Sequence, residues 1–215
     1  MMIEQLENRQ HLSVSISNGV LTINGTSGAD RVDLSLSSGK LIVKENGSTK
    51  ATPYQSSLKA VVINLGAGND KLYTNYGVRS LTVNGGDGDD YLLGSWNNDV
   101  IDAGGGRDYV HARPGNDVVK GGWGDDTLIG CLGNDSIWGG DGNDQLIGAA
   151  GDDNLFGDGG NDSLYGVDGN DNLDGGSGYN VAMGGNGNDD FRNIAKVYDS
   201  SSSDNGNNSN WSFGF

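Results

Sequence analysis

The sequence predicts an all-β solenoid in which two nine-residue units make one coil, preceded by an irregular β capping region. Three observations predict it. A period of nine runs from 85 to 192 without an insertion, giving twelve consecutive units. One column of every unit is apolar, and most of the rest is Gly, Asp and Asn. The chain is also poor in core residues, with 39 Gly and 34% hydrophobic content in 215 residues, while its two Pro exclude collagen-like or polyproline structure.

Three segments follow from composition. Residues 1–84 read as short strands. SVSIS and VLTIN flank an Asn18-Gly19 hairpin signal, and DLSL and KLIV flank a second candidate around Ser38-Gly39. AVVINLGAGNDKLY and SLTVN lead into the repeats. GTSGADRVD (25–33) and LGAGNDKLY (65–73) read as degenerate units, the irregular caps that solenoids use at their ends. Residues 193–215 close the chain, and from 199 on they are polar low complexity, the composition of a disordered tail.

Within 85–192, column four is Gly at every unit but one, where Asn97 stands. Column six is Asp at every unit but one, where Asn180 stands. Column eight runs Leu92, Ile101, Val110, Val119, Leu128, Ile137, Leu146, Leu155, Leu164, Leu173, Ala182, Phe191. An apolar residue between two variable ones reads as a three-residue strand with its middle side chain inward. Six residues of Gly, Asn and Asp read as a turn requiring positive φ and close backbone approach. Eighteen residues then make one coil, and column-six side chains eighteen apart stack at roughly 4.8 Å. Asp70 joins that stack below Asp90 if Thr74-Asn75 holds two extra residues.

Charge sharpens the reading. Residues 85–192 hold 21 acids, all Asp, against four bases, whereas 1–84 is slightly basic. Use of the shorter acid alone points to a geometric role. Nucleic acid and anionic lipid are poor partners for this surface. Two bare carboxylates about 5 Å apart repel by roughly 3 kcal/mol at an effective dielectric near 20. A counter-cation is therefore expected in the stack. Carboxylate and carbonyl oxygens select a hard ion, and calcium tolerates their flexible geometry better than magnesium.

The pattern GGxGxD followed two places later by an apolar residue resembles the RTX repeat of bacterial secreted proteins, over about half the chain. The resemblance implies a calcium-bound parallel β-roll, with each ion between one turn and the turn two units later. Its ligands would be the column-six carboxylates Asp90, Asp108, Asp126, Asp144 and Asp162 on one side, and Asp99, Asp117, Asp135, Asp153, Asp171 and Asp189 on the other, with Asp70 as a further candidate. Carbonyls of columns one to four would assist, among them those of Gly106, Gly115, Gly124, Gly133, Gly142, Gly151, Gly160 and Gly169. About eight to ten ions are expected, with Asn97 and Asn180 weakening their slots.

The family implies an extracellular or cell-surface location and leaderless, type I-like export, with residues 199–215 as a short candidate signal. Residues 4–13 are similar to an N-terminal segment of some surface proteins with such repeats. No basic start followed by an apolar stretch opens the chain, and no apolar run is long enough to span a membrane. Column nine gives one face an apolar ladder, Leu93, His111, Ile129, Ile147, Tyr165 and Met183, as a candidate docking surface. The other face carries Asp102, Lys120, Trp138, Phe156, Asp174 and Arg192. The expected function is a calcium-binding module that folds outside the cell. The alternative is a calcium-dependent polysaccharide-binding accessory like those beside alginate epimerases and lyases. No catalytic motif is found, and neither His11 nor His111 has a recognisable partner. EF-hand loops are excluded because 85–192 contains no Glu for the twelfth position. Cys131 reads as a small residue filling a turn, with no second cysteine to pair with.

Overall fold

The computed structural model describes residues 11–198. The expected segments at 1–10 and 199–215 lie outside the described residues. The chain winds into a β-solenoid of about eight turns. Its two walls are a 10-stranded and an 11-stranded sheet, and successive nine-residue units alternate between them, so each coil contributes a strand to both. From Leu81 to Arg192 the pairing along each wall is parallel with a shift of eighteen residues: Val119 lies beside Ile137 and Ile137 beside Leu155 on one wall, Leu128 beside Leu146 on the other.

Column eight is the core. Its side chains, from Leu92 to Phe191, are buried between the walls. Tyr91–Leu93, Tyr109–His111, Asn172–Asp174 and Asp190–Arg192 have the expected three residues, and the other repeat strands are longer. Val118–Trp123, Thr127–Leu132 and Ser136–Asp141 each span columns seven to three, and Gly122 pairs with Gly140 inside the ladder. The first half of the turn thus continues the strand, because glycines there let neighbouring coils approach to main-chain contact.

The solenoid begins well before residue 85. Val20–Asn24 pairs in parallel with Ala60–Ala67, and Arg31–Ser37 with Lys71–Thr74. Both expected hairpins are present. Asn18 (φ 52) and Gly19 (φ 82) link Ser13–Ser17 to Val20–Asn24, and Ser38 (φ 51) and Gly39 (φ 75) link Arg31–Ser37 to Lys40–Glu45. A third, unforeseen hairpin turns at Asn46-Gly47 into Ser48–Ala51. The Asn-Gly pair signals it in the sequence. This excursion separates Asp30 from Asp70 by forty residues instead of eighteen. The two extra residues before Asp90 lie in the turn between Thr74 and Leu81, where Leu81 takes the place of a column-six Asp. The column-nine ladders also form: Leu93, His111, Ile129, Ile147, Tyr165 and Met183 stand in register, as do Lys120, Trp138, Phe156 and Asp174.

Candidate functional site

Column six forms two buried ladders. In the first, the N–H of Asp70 donates to Asp90 Oδ1, that of Asp90 to Asp108 Oδ1, and so on through Asp126, Asp144 and Asp162, each at 2.8–2.9 Å. Asp30 precedes Asp70 in the same way, and Asn180 Oδ1 follows Asp162. The second ladder links Asp99, Asp117, Asp135, Asp153, Asp171 and Asp189 by the same bond. The fold therefore brings the expected side chains together in the expected order.

The other carboxylate oxygen is left over. Oδ2 of Asp70, Asp90, Asp108, Asp117, Asp126, Asp135, Asp144, Asp153, Asp162 and Asp171 is buried without a hydrogen-bond partner. At several of these rungs a main-chain carbonyl of the next coil lies beside it. A Cβ on Gly121 would lie 2.3 Å from Asp126 Oδ2 and 2.5 Å from Gly139 O of the next coil. The same pair of oxygens recurs as Asp90 with Ala103 O, Asp144 with Gly157 O, Asp162 with Gly175 O and Asp171 with Gly184 O. A carboxylate oxygen so placed beside a carbonyl oxygen is satisfied by a cation, or by a proton on the carboxyl itself. No three carboxylate, imidazole or thiol side chains converge among the described residues. A hard ion here must draw most of its ligands from main-chain carbonyls, so the donor set is all oxygen.

Electrostatics agree with the geometry. Burial pushes the Asp117 carboxyl up to about 8; the Asp99 N–H opposes this, and the charges of Asp99 and Asp135 add to it. Burial likewise raises Asp70, Asp126, Asp153 and Asp171 to about 7. Asp90, Asp108, Asp135, Asp144 and Asp162 rise to about 6. Bare, these groups resist ionisation, and a cation would hold them charged.

Asp99 differs from the other expected ligands. Its Oδ1 accepts from Leu81 N–H and the Ser95 hydroxyl, and its Oδ2 from Ser95 N–H. Asn180 places Nδ2 where the other rungs have Oδ2, and donates to Gly175 O and Asn193 O.

Column four keeps the coils in register. Gly106, Gly124, Gly133, Gly142, Gly151, Gly160 and Gly169 have φ between 121° and 148°, and each would press a Cβ into the preceding coil's carbonyl; Gly115 is equally crowded, against Asn97. Column two also has positive φ, even where it is not Gly: Arg113 (76°), Cys131 (104°), Ala149 (86°), Asp158 (65°) and Val167 (90°). Val167 is the costliest, because it is β-branched, and its side chain is exposed and packs little. Val167→Gly is expected to stabilise the fold by about 1 kcal/mol, read as a melting temperature higher by roughly 2–4 °C. A lower one would mean that its packing outweighs the backbone strain.

The sequence reading missed a second, exposed ladder in column five. Asn134 N–H donates to Asn116 Oδ1, Asp152 N–H to Asn134 Oδ1, and Asn161 N–H to Asn143 Oδ1. Its signal was the dominance of Asp and Asn in that column, short side chains that reach a neighbouring N–H. His11 also has an unforeseen partner: its Nδ1 lies 3.3 Å from Glu45, which Lys50 also contacts at 2.7 Å.

Comparison with known proteins gives one match. Four copies of the RTX calcium-binding nonapeptide repeat model fall on residues 82–110, 102–137, 132–164 and 165–192. No curated protein and no solved structure matches the chain. Among the described residues no helix is long and apolar enough to cross a membrane. The matched stretch, 82–192, is more than half of the chain and holds both carboxylate ladders from Asp90 and Asp99 onward, so the chain belongs to the RTX calcium-binding nonapeptide repeat family and is a calcium-binding β-roll module.

Proposed function

We propose that this module is exported and folds as it takes up calcium outside the cell or at its surface, acting as a structural or interacting element and not as an enzyme. The supporting observation is the repeated buried Asp Oδ2 that has no hydrogen-bond partner and lies beside a next-coil carbonyl oxygen at rungs such as Asp126 and Asp144. The ions are assigned to the open rungs: Asp70, Asp90, Asp108, Asp126, Asp144 and Asp162 in the first ladder, and Asp117, Asp135, Asp153 and Asp171 in the second. Main-chain carbonyls of the glycine columns complete the shells, for about eight to ten ions. Calcium supplies the charge that lets stacked carboxylates stay ionised in a thin core. Extracellular modules bind it at roughly 10⁻⁴–10⁻³ M. At cytosolic levels the chain would remain open and fit for export, since binding free energy becomes folding free energy.

Calorimetric titration with parallel circular dichroism tests this. Several calcium ions per chain should bind cooperatively with gain of β signal, and magnesium should fail to replace them. No binding, or a single ion with no structural change, would sink the reading.

A second reading, a calcium-dependent polysaccharide accessory, is favoured by one feature. Trp138 and Phe156 stack at 5.3 Å and 15°, with Lys120 and Asp174 in register on either side. Such a pair offers a sugar an apolar platform with flanking charge. The half-buried ladder of Leu93, His111, Ile129, Ile147 and Tyr165, ending at exposed Met183, is the corresponding proposal for a protein partner.

A further inference from the structure

Column two has positive φ at every solenoid turn from Gly66 to Gly185 except at Ser95, and it is again not positive at Thr26. These two exceptions occupy the first rung of each carboxylate ladder. Asp30 heads the first ladder, and Asp99 heads the second, where the preceding coil offers Leu81 instead of an acid. At both turns the column-two N–H is turned onto the rung's own carboxylate: Thr26 N–H donates to Asp30 Oδ2 at 2.7 Å, and Ser95 N–H donates to Asp99 Oδ2. Each hydroxyl follows, Thr26 Oγ1 lying 3.0 Å from Asp30 Oδ2 and Ser95 Oγ 2.8 Å from Asp99 Oδ1. The same local bonds recur, with the column-four N–H of Gly28 and of Asn97 donating to the hydroxyl. Column four is without positive φ at Gly28 and Asn97, as it also is at Gly115. This explains why Asn is tolerated at 97.

We infer that Thr26 and Ser95 are built-in terminators of the two calcium ladders, each completing the first aspartate rung with a main-chain N–H and a hydroxyl in place of an ion. A positive φ at column two turns that N–H away and leaves Oδ2 to a cation; an ordinary φ turns it inward and satisfies Oδ2 from within the chain. At the second ladder Arg113 adds positive charge. Its guanidinium donates to Thr74 O at 2.6 Å and lies 5.9 Å over Trp96 in the same turn as Ser95. The first coil can then close without metal, giving the ion-dependent coils a preformed edge on which to stack.

This inference rests on calcium occupying the open rungs, and native mass spectrometry at saturating calcium separates the two ideas. Thr26→Gly, and Ser95→Gly combined with Arg113→Gly, should each hold one more calcium per chain than the unaltered protein. Cys131→Gly, at column two of an open rung, should leave the count unchanged. Unaltered counts in folded terminator variants would overturn the inference while leaving the calcium module intact. An unaltered protein without calcium would overturn both. A crystal structure of the calcium-loaded protein gives a measurement independent of variants. Ions should stand at rungs such as Asp126 and Asp135, with none within about 3 Å of the Asp30 or Asp99 carboxylates. An ion at either of those two would refute the terminators.

Discussion

Chelation at pH 7.5 to 8 is expected to abolish most of the β signal, and acidification of the chelated protein to about pH 4.5 is expected to restore part of it. The reason lies in the rungs. Burial raises the folded carboxyls to about 6 at Asp108, about 7 at Asp126 and about 8 at Asp117. In the unfolded chain an Asp titrates near 3.9. Above the folded values the coil must hold ionised carboxylates out of water. That cost shrinks as pH falls through roughly 8 to 4 and vanishes once both states are protonated. The metal-free fold therefore gains stability on acidification over that window, opposite to an ordinary salt-bridged acid. With calcium the trend reverses, because protons compete for the same oxygens and the apparent affinity falls over the same interval. The flank is less exposed to this effect, since residues 1–84 are slightly basic and Glu45 is held by Lys50. A residual signal from the hairpins should survive chelation. Circular dichroism against pH, with and without chelator, decides the matter. A chelated chain that stays fully β at pH 8, or one that gains nothing on acidification, would remove the physical basis for the ion ladders.

The coil, its period and its polar ladders were legible in the sequence because each rests on a strict column. Column eight can only be core when eighteen residues return the chain to the same side, and column six can only stack when column eight does. Terminal rungs were harder to read. Asp30 and Asp70 were recognisable as column-six acids, but the chain between them detours through two more strands, so spacing could not place one above the other. Asn97 looked like a damaged repeat. It is instead part of a turn whose φ angles differ at columns two and four together, and nothing in one sequence announces that Ser95 turns its N–H inward where Cys131 does not. Strand length was underestimated for a related reason. Glycine reads as turn, yet here it continues the ladder because a missing Cβ permits coil-on-coil contact.

That contact makes Gly142→Ala the substitution with the largest expected effect on the fold itself. Gly142 has φ +148, a region L side chains rarely adopt, and a Cβ there would lie 2.0 Å from Gly124 O and 2.5 Å from its carbonyl carbon. Neither atom can step aside, since both belong to the preceding coil's main chain. Relief requires the two coils to separate, which breaks the 2.7 Å bond from Gly124 N–H to Asp141 O and spreads the Asp126 and Asp144 rungs. Backbone strain and overpacking together place the cost at about 3 kcal/mol or more, a melting temperature lower by roughly 10 °C. Gly105→Ala is the matched control. Gly105 sits in column three without positive φ, and its Cβ would meet nothing nearer than Asp87 Oδ1 and Trp123 Cε3 at 3.8 Å. It should stay within about 0.5 kcal/mol of the unaltered protein. The pair separates close stacking from the general flexibility of glycine. Equal effects at both positions would mean that glycine acts mainly through the unfolded chain, whereas a large loss at Gly142 alone ties the missing Cβ to coil spacing, and through that spacing to the oxygen pairs proposed to receive calcium.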